Sequence, residues 1–217
     1  SKNDDFKVVS YNRGYPVVID IVLNELDALV NIDLATRTIK KEHKSLNFVR
    51  IGTSGGLQED MPVDSVLMSE MAIGFDGLLN FYKDRDSVCN KTIESQFLKH
   101  MNWNPLIATP YFVNASENLM SRIDNKFRRG LTISSPGFYG PQGRELRLQI
   151  QDRAINDKIR SFRFNDKCIT NYEMESSALF GLSALLGHNA ATVCVIIANR
   201  YAKQYSKDYK PHIKKLV

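Results

Sequence analysis

Four short segments carry residue types suited to holding an anion and a planar polar ring. In Arg50-Ile51-Gly52-Thr53-Ser54-Gly55-Gly56 an arginine precedes two hydroxyls and three glycines. A guanidinium fork, hydroxyl donors and exposed backbone N–H groups suit a tetrahedral oxyanion such as phosphate. The same string also serves as an ordinary turn after a strand. It is not a P-loop, because no Gly-Lys-[Ser/Thr] follows, and it is not G-x-G-x-x-G. In Phe138-Tyr139-Gly140-Pro141-Gln142-Gly143-Arg144, a carboxamide and a guanidinium stand two residues apart near an aromatic face. Such a pair can read the amide and carbonyl edge of a ring, or it can simply close a polar surface turn. Asn171-Tyr172-Glu173-Met174-Glu175-Ser176 places two carboxylates at the expected start of a helix, where they complement its positive end. Alternatively, one carboxylate accepts from vicinal sugar hydroxyls while Met174 packs on the sugar ring. Lastly, Val195-Ile196-Ile197-Ala198-Asn199-Arg200 is a core strand ending in two polar residues, the end at which α/β sheets bind ligands.

The elements that position these segments alternate between strand and helix, which argues for an α/β fold in one domain spanning 1–217. Short strands are expected at Val17–Ile19, from Phe48 to Thr53 ending in the Gly/Ser turn, at Val66–Ser69, at Leu106–Thr109 and at Leu131–Ser134. Residues 173–186 form the best helix, with Met174, Ala178, Leu182 and Leu185 on one side and Gly187 as its stop. Thr192–Ala198 is apolar on both faces, as in a parallel or mixed sheet. At Val17-Val18-Ile19-Asp20-Ile21 the pattern passes from strand to helix with no turn residue between. Such a reversal normally needs about two to six residues. Either the strand expectation is wrong or residues are missing from the string there.

The 217 residues carry a formal charge of +5 and three scattered cysteines, Cys89, Cys168 and Cys194. An odd count without C-x-x-C argues against a disulfide scaffold or a cysteine zinc site and fits a reducing cytoplasm. No run reaches the roughly 18 apolar residues of a membrane span, and Ser1-Lys2-Asn3-Asp4-Asp5 does not start a signal peptide. The charge is local. Lys203, Lys207, Lys210, Lys214 and Lys215 against Asp208 give +4 over 201–217, leaving about +1 elsewhere. Tyr201, Tyr205 and Tyr209, continued by Ile213, suggest a buried tyrosine row beside a solvated basic edge, with Pro211 interrupting any continuous helix. No Arg-rich cluster or RNP-like aromatic run supports nucleic-acid binding. His43, His100, His188 and His212 lack metal-ligand spacing and an acidic partner pattern, and no metal is expected; Cys194 reads as a buried thiol.

Taken together, R-I-G-T-S-G-G, Q-G-R, N-Y-E-M-E-S and I-A-N-R resemble, in order and approximate spacing, the nucleoside phosphorylases, and the whole looks like the uridine phosphorylase branch. The similarity covers about residues 17–200. The resemblance implies a three-layer fold with a central mixed β-sheet flanked by helices. It also implies phosphorolysis of uridine to uracil and ribose 1-phosphate with inversion at C1′. Arg50, Thr53, Ser54 and Gly52 would bind phosphate; Gln142, Arg144, Arg200 and Phe138 would bind the base, the first three catalytically; Met174, Glu175 and Glu173 would hold the ribose. Phosphate would be a co-substrate, with no cofactor and no metal. A cytoplasmic homodimer or homohexamer is expected, without nucleic-acid or membrane partners. Asn199 with Arg200 favours the pyrimidine branch, since purine relatives typically carry aspartate at that strand end. The alternatives are a purine phosphorylase, a nucleosidase using water, and an inactive nucleoside-binding homologue. Relatives also have an N-terminal Gly-Asp-Pro turn with an arginine, a Gly-rich turn that would fall between Val18 and Ile19 or Asp20, and a longer C-terminal helix. The string is thus expected to be part of a longer protein or a degenerate copy. Arg13 matches the arginine that relatives lend across a dimer only poorly.

Overall fold

The computed structural model describes residues 16–123 and 126–216, so Arg13 and the first five residues lie outside the described region. In chain order the elements are α1 (Pro16–Asn31), the hairpin β1 (Ile32–Asp33) and β2 (Thr38–Ile39), β3 (Asn47–Gly56), β4 (Val66–Gly74), α2 (Lys91–Met101), β5 (Tyr111–Asn114), α3 (Glu117–Met120), β6 (Arg128–Ser134), α4 (Ile155–Ser161), β7 (Arg163–Phe164), β8 (Lys167–Glu173), α5 (Ser176–Leu185), β9 (Asn189–Asn199), β10 (Gln204–Tyr205) and α6 (Lys210–Lys214).

The main sheet runs β10-β9-β3-β8-β6-β4-β5, with β7 on β8, and a further β9–β4 pairing closes β9, β3, β8, β6 and β4 into a ring. It is mixed, as expected: β3 runs parallel to β9, and β6 parallel to both β4 and β8, while β3–β8 and β4–β9 are antiparallel. Side-chain alternation sorts the core into two layers. On β4, Met68 and Ala72 pack with Leu23 of α1 and Phe180 and Leu182 of α5. Met71 and Ile73 turn the other way, toward Phe97 of α2 and Ile159 of α4. Helix, sheet and helix therefore form three layers.

Several local expectations are corrected. Val17, Val18 and Ile19 do not form a strand but lie in the first turns of the sixteen-residue α1. Pro16 occupies its first position, where the missing N–H costs nothing, and Leu23 anchors the helix in the core. The turnless strand-to-helix junction is thereby removed. Leu106–Thr109 is a loop, with Leu106 exposed; the strand starts after Pro110, at the aromatic and β-branched Tyr111-Phe112-Val113. The Gly/Ser segment after Phe48–Thr53 is not a turn, because β3 continues through Gly56 and pairs with β9 throughout. Residues 171–173 finish β8, and the helix expected from 173 begins at Ser176. The tyrosine row is not buried: Tyr201, Tyr205 and Tyr209 are all exposed, and Tyr201 stacks on the Arg160 guanidinium at 3.6 Å. As expected, no continuous helix runs from 201 to 213: α6 begins only at Lys210, with Pro211 in its first turn.

Two polar joints hold element ends together. At the carboxyl end of β9, the buried Asn199 donates from Nδ2 to the carbonyls of Gln58 (2.8 Å) and Met61 (2.7 Å), and its Oδ1 accepts from Ala202 N–H (2.9 Å). At the opposite end, contrary to the expectation of no acidic partner, His188 lies 3.1 Å from Asp27. Its Nδ1 accepts Leu46 N–H at 3.2 Å, which places the ring proton on Nε2, facing that carboxylate, and leaves this tautomer no free nitrogen lone pair. Asn31 bridges Asp27 (2.6 Å) to Lys44 N–H (2.7 Å), and His43 stacks on His188 at 5.5 Å. α1 is thus tied to the starts of β3 and β9.

Each joint yields a prediction. Asn199→Asp sets a carboxylate against two carbonyls and removes both donors, so it should cost about 1–3 kcal/mol; urea titration measures this, and an unchanged midpoint would contradict the joint. Burial, reinforced by His43 and opposed by Asp27, holds the His188 pKa below its ordinary value. The unfolded chain therefore binds the proton first, and the contribution, complete above about pH 6.5, is lost as pH falls through the folded value. Between pH 7.5 and 5.5, wild type should lose more unfolding free energy than His188→Gln; parallel profiles would refute the assignment.

Candidate functional site

The site is built at the carboxyl ends of β8 and β6, beside β3, which pairs with β8 on one side and β9 on the other. Arg50 projects from β3 and lies back over Gly52, where an added Cβ would stand 2.6 Å from Nη1. Glycine at 52 is what lets the guanidinium occupy this place. Ser54 shares that face by alternation, and its buried Oγ has no hydrogen-bond partner. Thr53, half-buried, takes no part in the cluster around Arg50.

Arg50 is surrounded by acceptors. Nη1 meets Cys194 Sγ at 3.2 Å and Glu173 Oε2 at 3.4 Å, and Nη2 pairs closely with Glu175 Oε2. Burial opposes the charge, but Glu173, Cys194 and Glu175 together outweigh it and raise the arginine's pKa. Burial dominates at Cys194, pushing its thiol up to about 11, so it remains protonated at neutral pH. Burial also raises Glu175, against the pull of Arg50.

The two carboxylates have different environments. Glu173 is buried and committed: Oε1 accepts from the Ser134 hydroxyl and Ser176 N–H (3.1 Å), and Oε2 accepts from Glu175 N–H (2.9 Å) and Ser176 N–H (3.0 Å). Those amides open α5, so Glu173 supplies the negative charge that a helix start favours. Ser134 completes the brace, its Oγ accepting Ser177 N–H at 2.8 Å. Glu175 receives no such set of amides and keeps partial exposure. Ser134 and Cys194 were not singled out from sequence as members of the cluster; only the register of β6, β8 and β9 brings them in.

The second cluster gathers the loop after β6. Gln142 ends a short 3-10 turn (Gly140–Gln142) and is almost fully buried. Arg200 donates to both the Gln142 carbonyl and its side-chain Oε1, which fixes the carboxamide with Nε2 as its free end. Burial, helped by Arg144, lowers the Arg200 pKa to about 10, and it stays charged at neutral pH. Arg144 stacks on the Phe138 ring at 3.7 Å, and burial lowers its pKa as well. Arg200 also lies over the Tyr172 ring at 5.0 Å.

Consecutive residues of β8 therefore serve both clusters: Tyr172 carries Arg200, and Glu173 carries Arg50. Alternation turns their side chains apart, so the clusters flank the strand's end, from which Met174 and Glu175 lead into α5. The arrangement offers cationic donors on both sides, one partly exposed carboxylate, and a buried hydroxyl lacking a partner. Asn199 stands apart from it, with its carboxamide spent on backbone groups.

Comparison with known proteins agrees with this architecture. A uridine phosphorylase of Thermococcus kodakarensis is 26% identical over 163 residues, covering 74% of this chain and 51% of its own length. A Haemophilus influenzae uridine phosphorylase is 28% identical over 158 residues, covering 70% and 54% respectively. The chain thus spans about half the length of these curated relatives. Among solved structures, a Trypanosoma brucei nucleoside phosphorylase reported to show uridine phosphorylase activity superposes with a TM-score of 0.77 at 24% identity, covering 93% of this chain and 74% of that one. A Schistosoma mansoni uridine phosphorylase isoform gives 0.56 at 21%, covering 94% and 64%. These likenesses show the fold. The model of the Phosphorylase superfamily matches residues 11–214, nearly the whole sequence, and the chain belongs to that family.

Proposed function

We propose that the protein catalyses reversible phosphorolysis of uridine, or a closely related pyrimidine nucleoside, to uracil and ribose 1-phosphate. The observation that carries this reading is the end of β8, which serves an arginine–carboxylate cluster through Glu173 and an amide-reading cluster through Tyr172. The two relatives named uridine phosphorylase support the pyrimidine choice.

Phosphate is the nucleophile. One of its oxygens bonds to C1′ from the face opposite the base, the C1′–N1 electron pair leaves with uracil, and C1′ inverts. The sugar gains oxocarbenium character while negative charge spreads over the uracil carbonyls. No side-chain nucleophile is needed. Arg50 with Gly52 and Ser54 binds the phosphate, and the Ser54 hydroxyl gains the partner it lacks. Met174 packs on the ribose and Glu175 accepts from its hydroxyls, while Glu173 braces Arg50. Arg200 occupies Oε1 of Gln142, so Nε2 is left to donate to a uracil carbonyl beside Arg144 and Phe138. Donors preset toward charge that develops only during bond breaking stabilise the transition state selectively. The reading needs phosphate as co-substrate, with no organic cofactor or nucleic acid. It includes assembly as a homodimer or homohexamer and a cytoplasmic setting; among the described residues no helix is long and apolar enough to cross a membrane.

Uracil release from uridine should require phosphate; release at the same rate in phosphate-free buffer would instead mean hydrolysis. Arg144→Ala should lower kcat/KM at least about a hundredfold, and wild-type kinetics in that variant would sink the base-pocket assignment. In Gly52→Ala the new Cβ displaces the guanidinium of Arg50. Its KM for phosphate should rise about tenfold, roughly 1.4 kcal/mol, and its Tm should fall, because the guanidinium is pushed off Glu173 and Glu175; an unaltered phosphate KM would remove Arg50 from the anion site.

A further inference from the structure

Without a ligand both terminal nitrogens of the Arg50 guanidinium are engaged. Nη1 is directed at Cys194 and Glu173, and Nη2 is taken by Glu175. An anion gripped along the Nη1–Nη2 edge must therefore displace a carboxylate. Glu173 cannot give way, because the Ser134 hydroxyl and the amides of 175 and 176 hold both its oxygens. Glu175 can: it lies on the short link between β8 and α5, is partly exposed, and its paired oxygen has Arg50 as partner. Once displaced, it is a desolvated carboxylate that has lost its cation, a costly state unless new donors replace the guanidinium.

Taking the uridine phosphorylase reading as its basis, we infer that the Arg50–Glu175 pair couples the two substrates: the anion takes Arg50, the freed Glu175 takes the sugar hydroxyls, and each ligand promotes binding of the other. The cost of opening the pair is met once for both ligands instead of separately for each. Thermodynamic linkage makes the effect reciprocal, so the anion tightens nucleoside binding by the same factor as the nucleoside tightens anion binding. Glu175 is thus both a ribose ligand and the residue that keeps the anion site closed until nucleoside arrives.

The test uses sulfate, a tetrahedral anion that does not carry the reaction forward, with uridine as the nucleoside and calorimetry as the readout. Saturating sulfate should lower the Kd of uridine about tenfold, within the roughly 5–150-fold range common for coupled sites. The sulfate Kd should fall by the same factor when uridine is saturating. 2′,3′-Dideoxyuridine, which lacks the hydroxyls, should bind with an affinity that sulfate leaves unchanged. Glu175→Gln should bind sulfate more tightly than wild type in the absence of nucleoside, and its uridine and sulfate affinities should be independent. If uridine and sulfate both bind wild type with no mutual effect, or if dideoxyuridine shows the same coupling as uridine, the inference is overturned while the functional reading stands. If uridine does not bind under any of these conditions, both fall. The dideoxyuridine comparison is made on the unaltered protein, so it stays decisive however Glu175→Gln folds.

Discussion

The buried charge of Arg50 is the constraint around which the site is organised. A guanidinium removed from water is costly unless acceptors surround it, and breaking a buried pair typically costs about 3–5 kcal/mol. Here the acceptors come from separate strands and a helix start: Glu173 and Glu175 at the end of β8 and Cys194 on β9. Glu173 is itself held by Ser134 at the end of β6 and by the first amides of α5. One charge thereby sets the relation of β3, β6, β8, β9 and α5.

Division of labour between the two carboxylates follows from their surroundings. With hydroxyl and amide donors on both oxygens, Glu173 is a fixed counter-charge. Glu175, two residues later, has left the strand and retains some solvent contact, so it is the one able to change partners. The same logic separates the two polar residues that close β9. Asn199 turns inward and spends its carboxamide on the backbone around Gln58 and Met61, whereas Arg200 turns out to orient Gln142. A residue type chosen by the chain as a whole can therefore be a marker of a lineage while its atoms serve only the fold.

Much of the architecture was legible in the sequence because its signals are local. Thr192–Ala198 is apolar on both faces because β9 is covered on both, and Gly187 stops α5 in the left-handed conformation expected of it, with φ +76°. The errors arose where tertiary context overrides a local signal. Val17-Val18-Ile19 has strand propensity, yet Pro16 and the burial of Leu23 extend a helix through it. Gly52-Thr53-Ser54-Gly55-Gly56 has turn composition, yet β9 pairs along it, with a register shift only after Ser54. Its glycines serve close approach by Arg50 and by neighbouring strands, not chain reversal.

By itself the sequence determined the α/β class and the set of chemically capable segments, since periodicity, glycine placement and short motifs are properties of neighbouring residues. Tertiary structure alone decided how those segments meet. Arg50 and Glu175 are 125 positions apart in the chain, and Gln142 and Arg200 are 58 apart. Which carboxylate is locked, which is free to change partners, and which end of Gln142 is left to donate depend on contacts across such separations. Electrostatics and hydrogen bonding act through distance in space, and only the folded sheet sets those distances.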